Sequence, residues 1–367
     1  QVWTGTILMK SWSIWPCALN KTMQFNKVCI ESIAYVQPPK AFTTDELEER
    51  LTPLYERLKL PKGRLELMTG IQSRHFWDND IRPSEASAEA GEKVLAKSQF
   101  GKDEIDLLIH SSVCRDCMEP ATAAFVHGLL ELSPNAQVLD VSNACLGFAN
   151  AMSLAAGLIE SGQIKRALIV SGENGKPLLE NTIDRLLEEK HTRKTIKPLF
   201  ANLTIGAGAA AAVLCHEDCM KTPHGYLRNA VVQADSEANK LCMGGAASNG
   251  NGLEMATNAE ALLKAGIKLA KNVWKQFCDE IKWTDKQITR YICHQVGKTH
   301  QTQLFDALKL DKAKDFVTYP FLGNVGSVSL PATLAHAVEQ GMVKSGDKLA
   351  LLGIGSGLNC MMLGVEW

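Results

Sequence analysis

The stretch that decides the fold is VLDVSNACLGFANAMSLAAGLIESGQ, residues 138–163. Its first residues predict a buried strand, and the small residues after them predict a helix that packs closely in the middle of the molecule. Cys145 stands where the strand gives way to the helix. Unpaired N–H groups at a helix N-terminus stabilise a thiolate, so this position allows a lowered thiol pKa and makes Cys145 a candidate nucleophile. Taken alone, Cys145 is more often a packing residue, because free cysteine is among the most buried residue types.

Helix and strand patterns alternate along the rest of the chain, which predicts an α/β fold. Strands are predicted at residues 104–113, 136–142, 165–173, 206–216 and 289–295, with a closing hairpin at 347–367. Helices are predicted at residues 122–132, 145–162, 254–281, 297–310 and 326–341. Both parts of the chain repeat one theme, in which a strand leads to a turn with reactive side chains and then to a helix.

This repetition predicts two similar halves in the 367-residue chain, at residues 23–217 and 218–367. Residues 1–22 are predicted to be an N-terminal extension of unknown role. A charged amphipathic insertion at residues 178–200 is expected on the surface or over an entrance to the site.

Charge and composition are those of an ordinary globular protein. The 39 basic and 40 acidic residues leave a net charge of -1, so nucleic acid and anionic membranes are not predicted partners. No run reaches the roughly 18 apolar residues of a membrane span. The odd number of cysteines, 11, in a large chain predicts free thiols and a cytoplasmic, reducing compartment. The close pairs Cys114/Cys117 and Cys215/Cys219 lack zinc spacing, so no metal is predicted.

Three further features are candidates for the chemistry. His294 follows an apolar strand, at the end where α/β sheets usually present reactive groups. Asn324 lies in a glycine-flanked turn that leads into a helix. The GIGSG turn at residues 353–357 allows a backbone N–H to approach a ligand closely. Each is weak alone, since a single histidine is more often a satisfied core residue and short glycine clusters are often only turns.

Together these motifs resemble a known family. The segments SNACLGFANA (142–151), YICHQVGKTH (291–300), FLGNVGSVSLP (321–331) and LLGIGSGLNC (351–360) occur in this order. They are similar to the condensing enzymes of the thiolase superfamily, in the branch of ketoacyl-ACP synthase III, and the resemblance covers residues 23–367. It implies a thiolase-like five-layered αβαβα fold of two similar halves, and a homodimer.

The resemblance also implies roles for individual residues. Cys145 is the nucleophile that takes an acyl group from a thioester, while His294 and Asn324 hold the carbonyl of a second thioester as its enolate. The amide of Cys145 and the turn around Gly355 and Ser356 form the oxyanion hole. The side chains of Met118, Phe148 and Met152 are candidates for contact with the acyl chain, although apolar neighbours of catalytic residues are more often plain core.

The source of the attacking carbanion separates two reactions. Decarboxylation of a malonyl group needs no base, whereas deprotonation of an acyl thioester does. Leu351 and Leu352 occupy the positions before the last turn, where classical thiolases carry a second catalytic cysteine. The loop CRDCMEPATAAF (114–125) instead resembles that of the OleA family of head-to-head acyl-CoA condensing enzymes. That resemblance makes Glu119 a base that reaches into the partner subunit's active site.

We therefore predict a non-decarboxylative Claisen condensation of two fatty acyl-CoA (or acyl-ACP) molecules to a β-keto acid or its thioester, the first step of long-chain olefin or ketone synthesis. CoA enters as part of the substrate, so no separate cofactor is predicted, and downstream olefin-pathway enzymes are partners that the resemblance allows. The main alternative is a decarboxylating 3-oxoacyl-ACP synthase III. The tetrapeptide HQVG at residues 294–297 departs from the HQAN of that enzyme and weakens this alternative. A silent acyl-chain-binding protein and an aldol condensation like that of HMG-CoA synthase fit the motifs less well.

Overall fold

The computed structural model describes residues 22–78, 81–246 and 252–367. The predicted N-terminal extension lies outside the described residues except for Thr22. The strands are β1 Thr22–Gln24, β2 Val28–Val36, β3 Lys40–Thr43, β4 Ser73–Phe76, β5 Leu107–His110, β6 Gln137–Asp140, β7 Arg166–Asn174, β8 Ala207–His216, β9 Tyr226–Ala234, β10 Cys242–Ala246, β11 Leu253–Thr257, β12 Arg290–Cys293, β13 Asp315–Phe316, β14 Lys348–Gly355 and β15 Asn359–Glu366. The helices are α1 Thr44–Arg50, α2 Thr52–Leu58, α3 Arg64–Thr69, α4 Pro83–Leu95, α5 Thr122–Leu130, α6 Gly147–Glu160, α7 Lys176–Leu187, α8 Ala259–Ile281, α9 Lys298–Leu308, α10 Tyr319–Leu322 and α11 Ser329–Glu339.

One mixed sheet runs through the molecule in the order β13-β12-β14-β15-β9-β2-β8-β7-β5-β6, and β1 pairs with β9. It consists of two five-stranded parts that join where Cys29 of β2 pairs with Tyr226 of β9. In each part the first strand lies at the junction and is followed, going outward, by the fifth, fourth, second and third strands in chain order. Each part also has the same parallel and antiparallel pairs. The two halves therefore share one topology, which the alternation of helices and strands had indicated.

Three hydrophobic clusters show how the layers stack. Alternate residues of a buried strand point to opposite faces, and in β8 Ala210 and Leu214 lie in the central cluster while Ala209 and Val213 lie in an outer one. The central cluster holds the apolar side chains of α6 and α11 between the inner faces of both half-sheets. Helices α4 and α5 cover one outer face, and α8 and α9 cover the other. The order helix, sheet, helix, sheet, helix confirms the predicted five-layered αβαβα fold.

The predicted helix at residues 254–281 is wrong for its first residues. Leu253–Thr257 is instead strand β11, which pairs antiparallel with β10 in a separate two-stranded sheet. Helix α8 begins at Ala259, because the Asn258 side chain accepts a hydrogen bond from the Ala261 N–H and caps the helix there.

The segment predicted as an insertion, residues 178–200, contains most of α7, whose apolar side chains face the outer cluster of the first half. Its charged face makes ion pairs between Arg50 and Glu180 and between Arg185 and Glu254. The insertion and the domain boundaries otherwise stay predictions. Within the part of the chain that the structure describes, no helix is both long and apolar enough to cross a membrane.

Candidate active site

Cys145 lies in a tight turn between β6 and α6. Ala144, the residue before it, has a φ of 45°, a left-handed conformation that costs energy for a residue with a Cβ. The Leu146 N–H donates to the Asn143 carbonyl at 2.9 Å and closes the turn. The sulfur is thereby placed just ahead of the first turn of α6, a helix of 14 residues.

The thiol of Cys145 is held in its protonated form. Burial, as the largest cause, and the nearby carboxylate of Glu173 together raise its pKa to about 12. The lowered pKa that the helix N-terminus allowed is therefore not found, and burial is the largest cause of the raised pKa. If Cys145 is the nucleophile, its thiol proton leaves as the sulfur attacks.

The glycine-rich turn after β14 meets the backbone of Cys145. A methyl group on Gly355 would lie 3.5 Å from the amide nitrogen of Cys145 and 3.2 Å from Cγ of Leu146. The Asn359 side chain ties the same turn down, since its Nδ2 donates to the Asn143 side chain at 3.1 Å and to the Ser356 carbonyl at 3.4 Å. Strand β14 thus brings the predicted oxyanion-hole residues of the second half against the nucleophile of the first.

His294 follows β12 and is neutral. Its backbone N–H donates to the Leu352 carbonyl at 2.8 Å, and its side chain is only 5% exposed. Burial lowers its pKa to about 3, and His300 beside it acts in the same direction. A neutral imidazole can donate one N–H to a substrate carbonyl while its other nitrogen accepts a hydrogen bond.

Asn324 lies in the turn before α11 and is held from both sides. Its backbone N–H donates to the Thr204 carbonyl at 2.9 Å, and its own carbonyl accepts from the Gly206 N–H at 2.9 Å. Its side-chain Oδ1 accepts from the Gly326 N–H at 3.1 Å. The Nδ2 group donates to none of the described residues, so it is available to donate a hydrogen bond to a substrate.

The candidate residues occupy equivalent places in the two halves. Cys145 precedes the central helix α6, and Asn324 precedes its counterpart α11. His294 corresponds to Ser111, since each directly follows the second strand of its half. The Ser111 N–H donates to the Val170 carbonyl of β7 at 2.8 Å, as the His294 N–H donates to the Leu352 carbonyl of β14. The duplicated topology therefore collects the site at one end of both half-sheets.

Glu119 lies in the loop between β5 and α5, and its side chain is exposed in the single chain. Met118 beside it is 88% exposed. The loop itself is anchored, since the Asp116 carboxylate accepts hydrogen bonds from the N–H and the hydroxyl of Ser84. An anchored loop thus presents Glu119 outward from this chain.

The other two residues proposed to contact the acyl chain lie elsewhere. Phe148 and Met152 are buried in the central cluster, on α6 directly behind Cys145. Their contact with an acyl chain stays a prediction.

Sequence reasoning missed Glu173, the residue before the end of β7. Its carboxylate is 4% exposed and lies close enough to Cys145 to raise the pKa of that thiol. The signal was an acidic residue at the end of the buried run RALIVSG, since a buried carboxylate in such a place needs several hydrogen-bond donors. Within the described ranges, no group of three or more His, Cys, Asp or Glu side chains is arranged to hold a metal ion.

Comparison with known proteins matches this geometry to one group of enzymes. The family models described as 3-oxoacyl-[acyl-carrier-protein] synthase III and its C-terminal part match residues 139–236 and 278–367. The chain is 38% identical to the acyl-CoA:acyl-CoA alkyltransferase of Shewanella oneidensis and 37% identical to that of Xanthomonas campestris pv. campestris, in each case over 94% of this chain and 100% of the relative. The crystal structure of cerulenin-bound Xanthomonas OleA superposes with a TM-score of 0.90 at 36% identity, over 95% of this chain and 99% of that one.

Proposed function

This chain belongs to the family of acyl-CoA:acyl-CoA alkyltransferases, within the thiolase superfamily, and on that premise we propose which of its side chains carry out the condensation. The reaction joins two acyl-CoA molecules head to head without loss of carbon dioxide. The observation that carries the assignment is the close approach of the Gly355 backbone, from the second half, to the Cys145 amide of the first. A nucleophile and a backbone oxyanion site meet there, as acyl transfer requires.

In the first step the sulfur of Cys145 attacks the carbonyl carbon of one acyl-CoA. The developing oxyanion accepts hydrogen bonds from the backbone N–H groups of Cys145 and of the turn at Gly355 and Ser356. The carbon–sulfur bond to CoA breaks, and the proton that leaves the Cys145 thiol ends on the CoA sulfur. An acyl-enzyme and free CoA are the products.

In the second step a base removes a proton from the α-carbon of a second acyl-CoA. We assign this to Glu119 of the partner subunit, which is supported by the exposure of this carboxylate in the single chain and by the homodimer that the family resemblance implies. Neutral His294 and the Nδ2 group of Asn324 donate hydrogen bonds to the thioester oxygen and stabilise the enolate.

The enolate carbon then attacks the acyl carbon on Cys145. The bond to the Cys145 sulfur breaks, and the sulfur regains a proton from the Glu119 carboxyl group. The product is a β-keto acyl-CoA, which one water molecule hydrolyses to the β-keto acid and free CoA. We propose that this product enters long-chain olefin or ketone synthesis and that CoA is the only cofactor-like group involved, as part of the substrate.

Every cysteine in the described residues is a free thiol, which supports a reducing compartment.

The test is to incubate the protein with one saturated long-chain acyl-CoA, without a malonyl donor, and to measure products by mass spectrometry. The native protein is expected to form the doubled-chain β-keto acid or its decarboxylated ketone. Cys145→Ala is expected to form neither acyl-enzyme nor product. Glu119→Ala is expected to keep the acyl-enzyme and lose about a hundredfold or more of the condensation rate, the usual contribution of a general base. Glu56→Ala, at an exposed helix position, is the control.

The decarboxylating alternative makes the opposite prediction. Such an enzyme would hold an acyl group on Cys145 and release no condensed product until a malonyl thioester was added. Its condensation rate would not depend on Glu119. That pair of results would overturn the proposed assignment.

A further inference from the structure

Glu173 is a buried carboxylate without an ion pair among the described residues. Burying a charge of this kind is costly unless hydrogen bonds replace its water. In Glu173, hydrogen bonds from the protein replace most of the lost water. Its Oε1 accepts from the Val113 N–H at 2.9 Å, the Ser327 hydroxyl at 2.8 Å and the Ser327 N–H at 3.2 Å, and its Oε2 accepts from the Cys114 N–H at 3.1 Å.

These donors belong to two segments that carry candidate catalytic residues. Val113 and Cys114 begin the loop that ends with Glu119, and Ser327 lies in the turn that begins with Asn324. A methyl group on Gly326 would lie 2.9 Å from Oε1 of Glu173, so this turn is packed directly against the carboxylate. One side chain on β7 therefore holds a loop of the first half and a turn of the second.

We propose that Glu173 is a positioning residue that fixes both the Glu119 loop and the Asn324 turn, so that the enolate donor of its own site and the base that its chain supplies to the partner subunit's site are both held in place for the condensation step. This inference rests on the roles assigned to Glu119 and Asn324 above. Such positioning matters for the rate, because misplacement of a catalytic group by about 1 Å can cost a hundredfold.

The electrostatics of Glu173 separate this role from one in acyl transfer. The carboxylate raises the pKa of the Cys145 thiol, and so it opposes the loss of the thiol proton. The charge of Glu173 therefore does not favour acylation. Its hydrogen bonds serve the geometry of the second step.

The informative variant is Glu173→Gln. The amide Oε1 can still accept from Ser327 and from the Val113 N–H, but the amide NH₂ group meets the Cys114 N–H, which is also a donor, so the Glu119 loop loses one of its two hydrogen bonds to this side chain. The Ser327 hydroxyl keeps a second set of partners, the Ser111 carbonyl at 2.9 Å and the Ser171 hydroxyl at 2.7 Å. The variant is thus expected to loosen the loop and to keep the turn.

Three rates measured on the full-length protein test the proposal: formation of the acyl-enzyme, condensation of the isolated acyl-enzyme with a second acyl-CoA, and alkylation of Cys145 by iodoacetamide as a function of pH. In Glu173→Gln we expect condensation to fall about tenfold to a hundredfold, while acylation is unchanged or faster. A merely structural role would change both rates together. Loss of the negative charge is also expected to move the pH dependence of Cys145 alkylation toward lower pH, which checks that the site around Cys145 remains folded in the variant.

Glu48→Gln is a matched control. Glu48 is likewise a buried carboxylate, and it accepts hydrogen bonds from the Leu65 N–H at 2.8 Å and the Tyr55 hydroxyl at 3.1 Å, in a part of the fold that carries no candidate catalytic residue. It is expected to lower stability and to leave the ratio of condensation to acylation unchanged. Ser327→Ala, which removes one donor to Glu173, provides a milder second variant if Glu173→Gln does not fold, and a smaller loss in condensation alone is expected.

Equal losses in acylation and condensation in both site variants, or native condensation in both, would overturn the proposal. Failure of the proposed function is a different result, because the native protein itself would then form no condensed product from acyl-CoA alone.

Discussion

At the scale of single residues, the site combines neutral groups with one fixed negative charge. Burial keeps the Cys145 thiol protonated and the His294 imidazole neutral, through opposite pKa shifts with the same physical cause. Neutral donors suit an enolate, because they bind the developing negative charge without first forming a tight ion pair with another anion. The nearby Glu173 charge is tolerated because its oxygens are already occupied by hydrogen-bond donors.

Gly355→Ala is predicted to damage acylation. The added methyl group would lie 3.2 Å from Leu146 and 3.5 Å from the Cys145 amide nitrogen, and it would crowd the space where the oxyanion forms. We expect the rate of acyl-enzyme formation to fall about a hundredfold, the usual cost of one oxyanion donor. Time-resolved intact-protein mass spectrometry measures this rate.

Gly157→Ala is the matched control for that substitution. Nothing lies within 4 Å of a methyl group at this position in α6, so acylation should stay at the native rate. Helix stability should rise by about 1 kcal/mol. Native acylation in Gly355→Ala would show that the turn does not form the oxyanion hole.

At the scale of secondary structure, element boundaries depend on single side chains. The pattern of α8 continues backward through Glu254, and only the Asn258 cap stops the helix. The residues before the cap then pair with β10. The hydrophobic periodicity of residues 254–281 does not reveal this pairing, because it depends on a second segment. Helices whose ends follow from residues close by in the sequence, such as α5 and α6, were predicted to within a few residues.

Asn258→Ala is predicted to lower the free energy of unfolding by about 1 kcal/mol, because the Ala261 N–H loses its partner at the start of α8. Urea denaturation followed by circular dichroism measures the change. Asn258→Asp should retain native stability, since a carboxylate also caps the helix and favours its positive end. An alanine variant as stable as the native protein would show that the β10–β11 pairing, and not the cap, sets the boundary.

At the scale of the whole molecule, the site depends on the duplicated fold. Cys145, the proposed nucleophile, and the loop of Glu119, the proposed base, come from the first half, whereas His294, Asn324 and the glycine-rich turn come from the second. The two halves meet across the central helices, and no single half holds a complete site. If Glu119 acts in the partner subunit's site, a complete site also requires a dimer.

Mixing two inactive variants tests that donation. Cys145→Ala and Glu119→Ala homodimers are unfolded and refolded together, and condensation is then measured. If Glu119 acts across the interface, each mixed dimer contains one intact site, and random pairing should restore about a quarter of native activity. If Glu119 acts within its own chain, no mixed dimer has an intact site.

Separate refolding of each variant controls for residual activity. Refolded native protein at the same total concentration supplies the reference rate. Activity no higher than in the separate samples, with mixed dimers verified by native mass spectrometry, would exclude donation across the interface.

The sequence by itself determined the α/β class and the two similar halves, and its motifs predicted the reacting side chains Cys145, His294, Asn324 and Glu119, because strand and helix periodicity and short ordered motifs are local properties of the chain. Only the tertiary structure decided the pKa of Cys145, the neutrality of His294, the close approach of Gly355 to the Cys145 amide and the place of Glu173. These depend on burial and on neighbours that are far away in the sequence. Electrostatic cost and hydrogen-bond geometry are set by what surrounds a group in space, and a one-dimensional pattern does not contain that information.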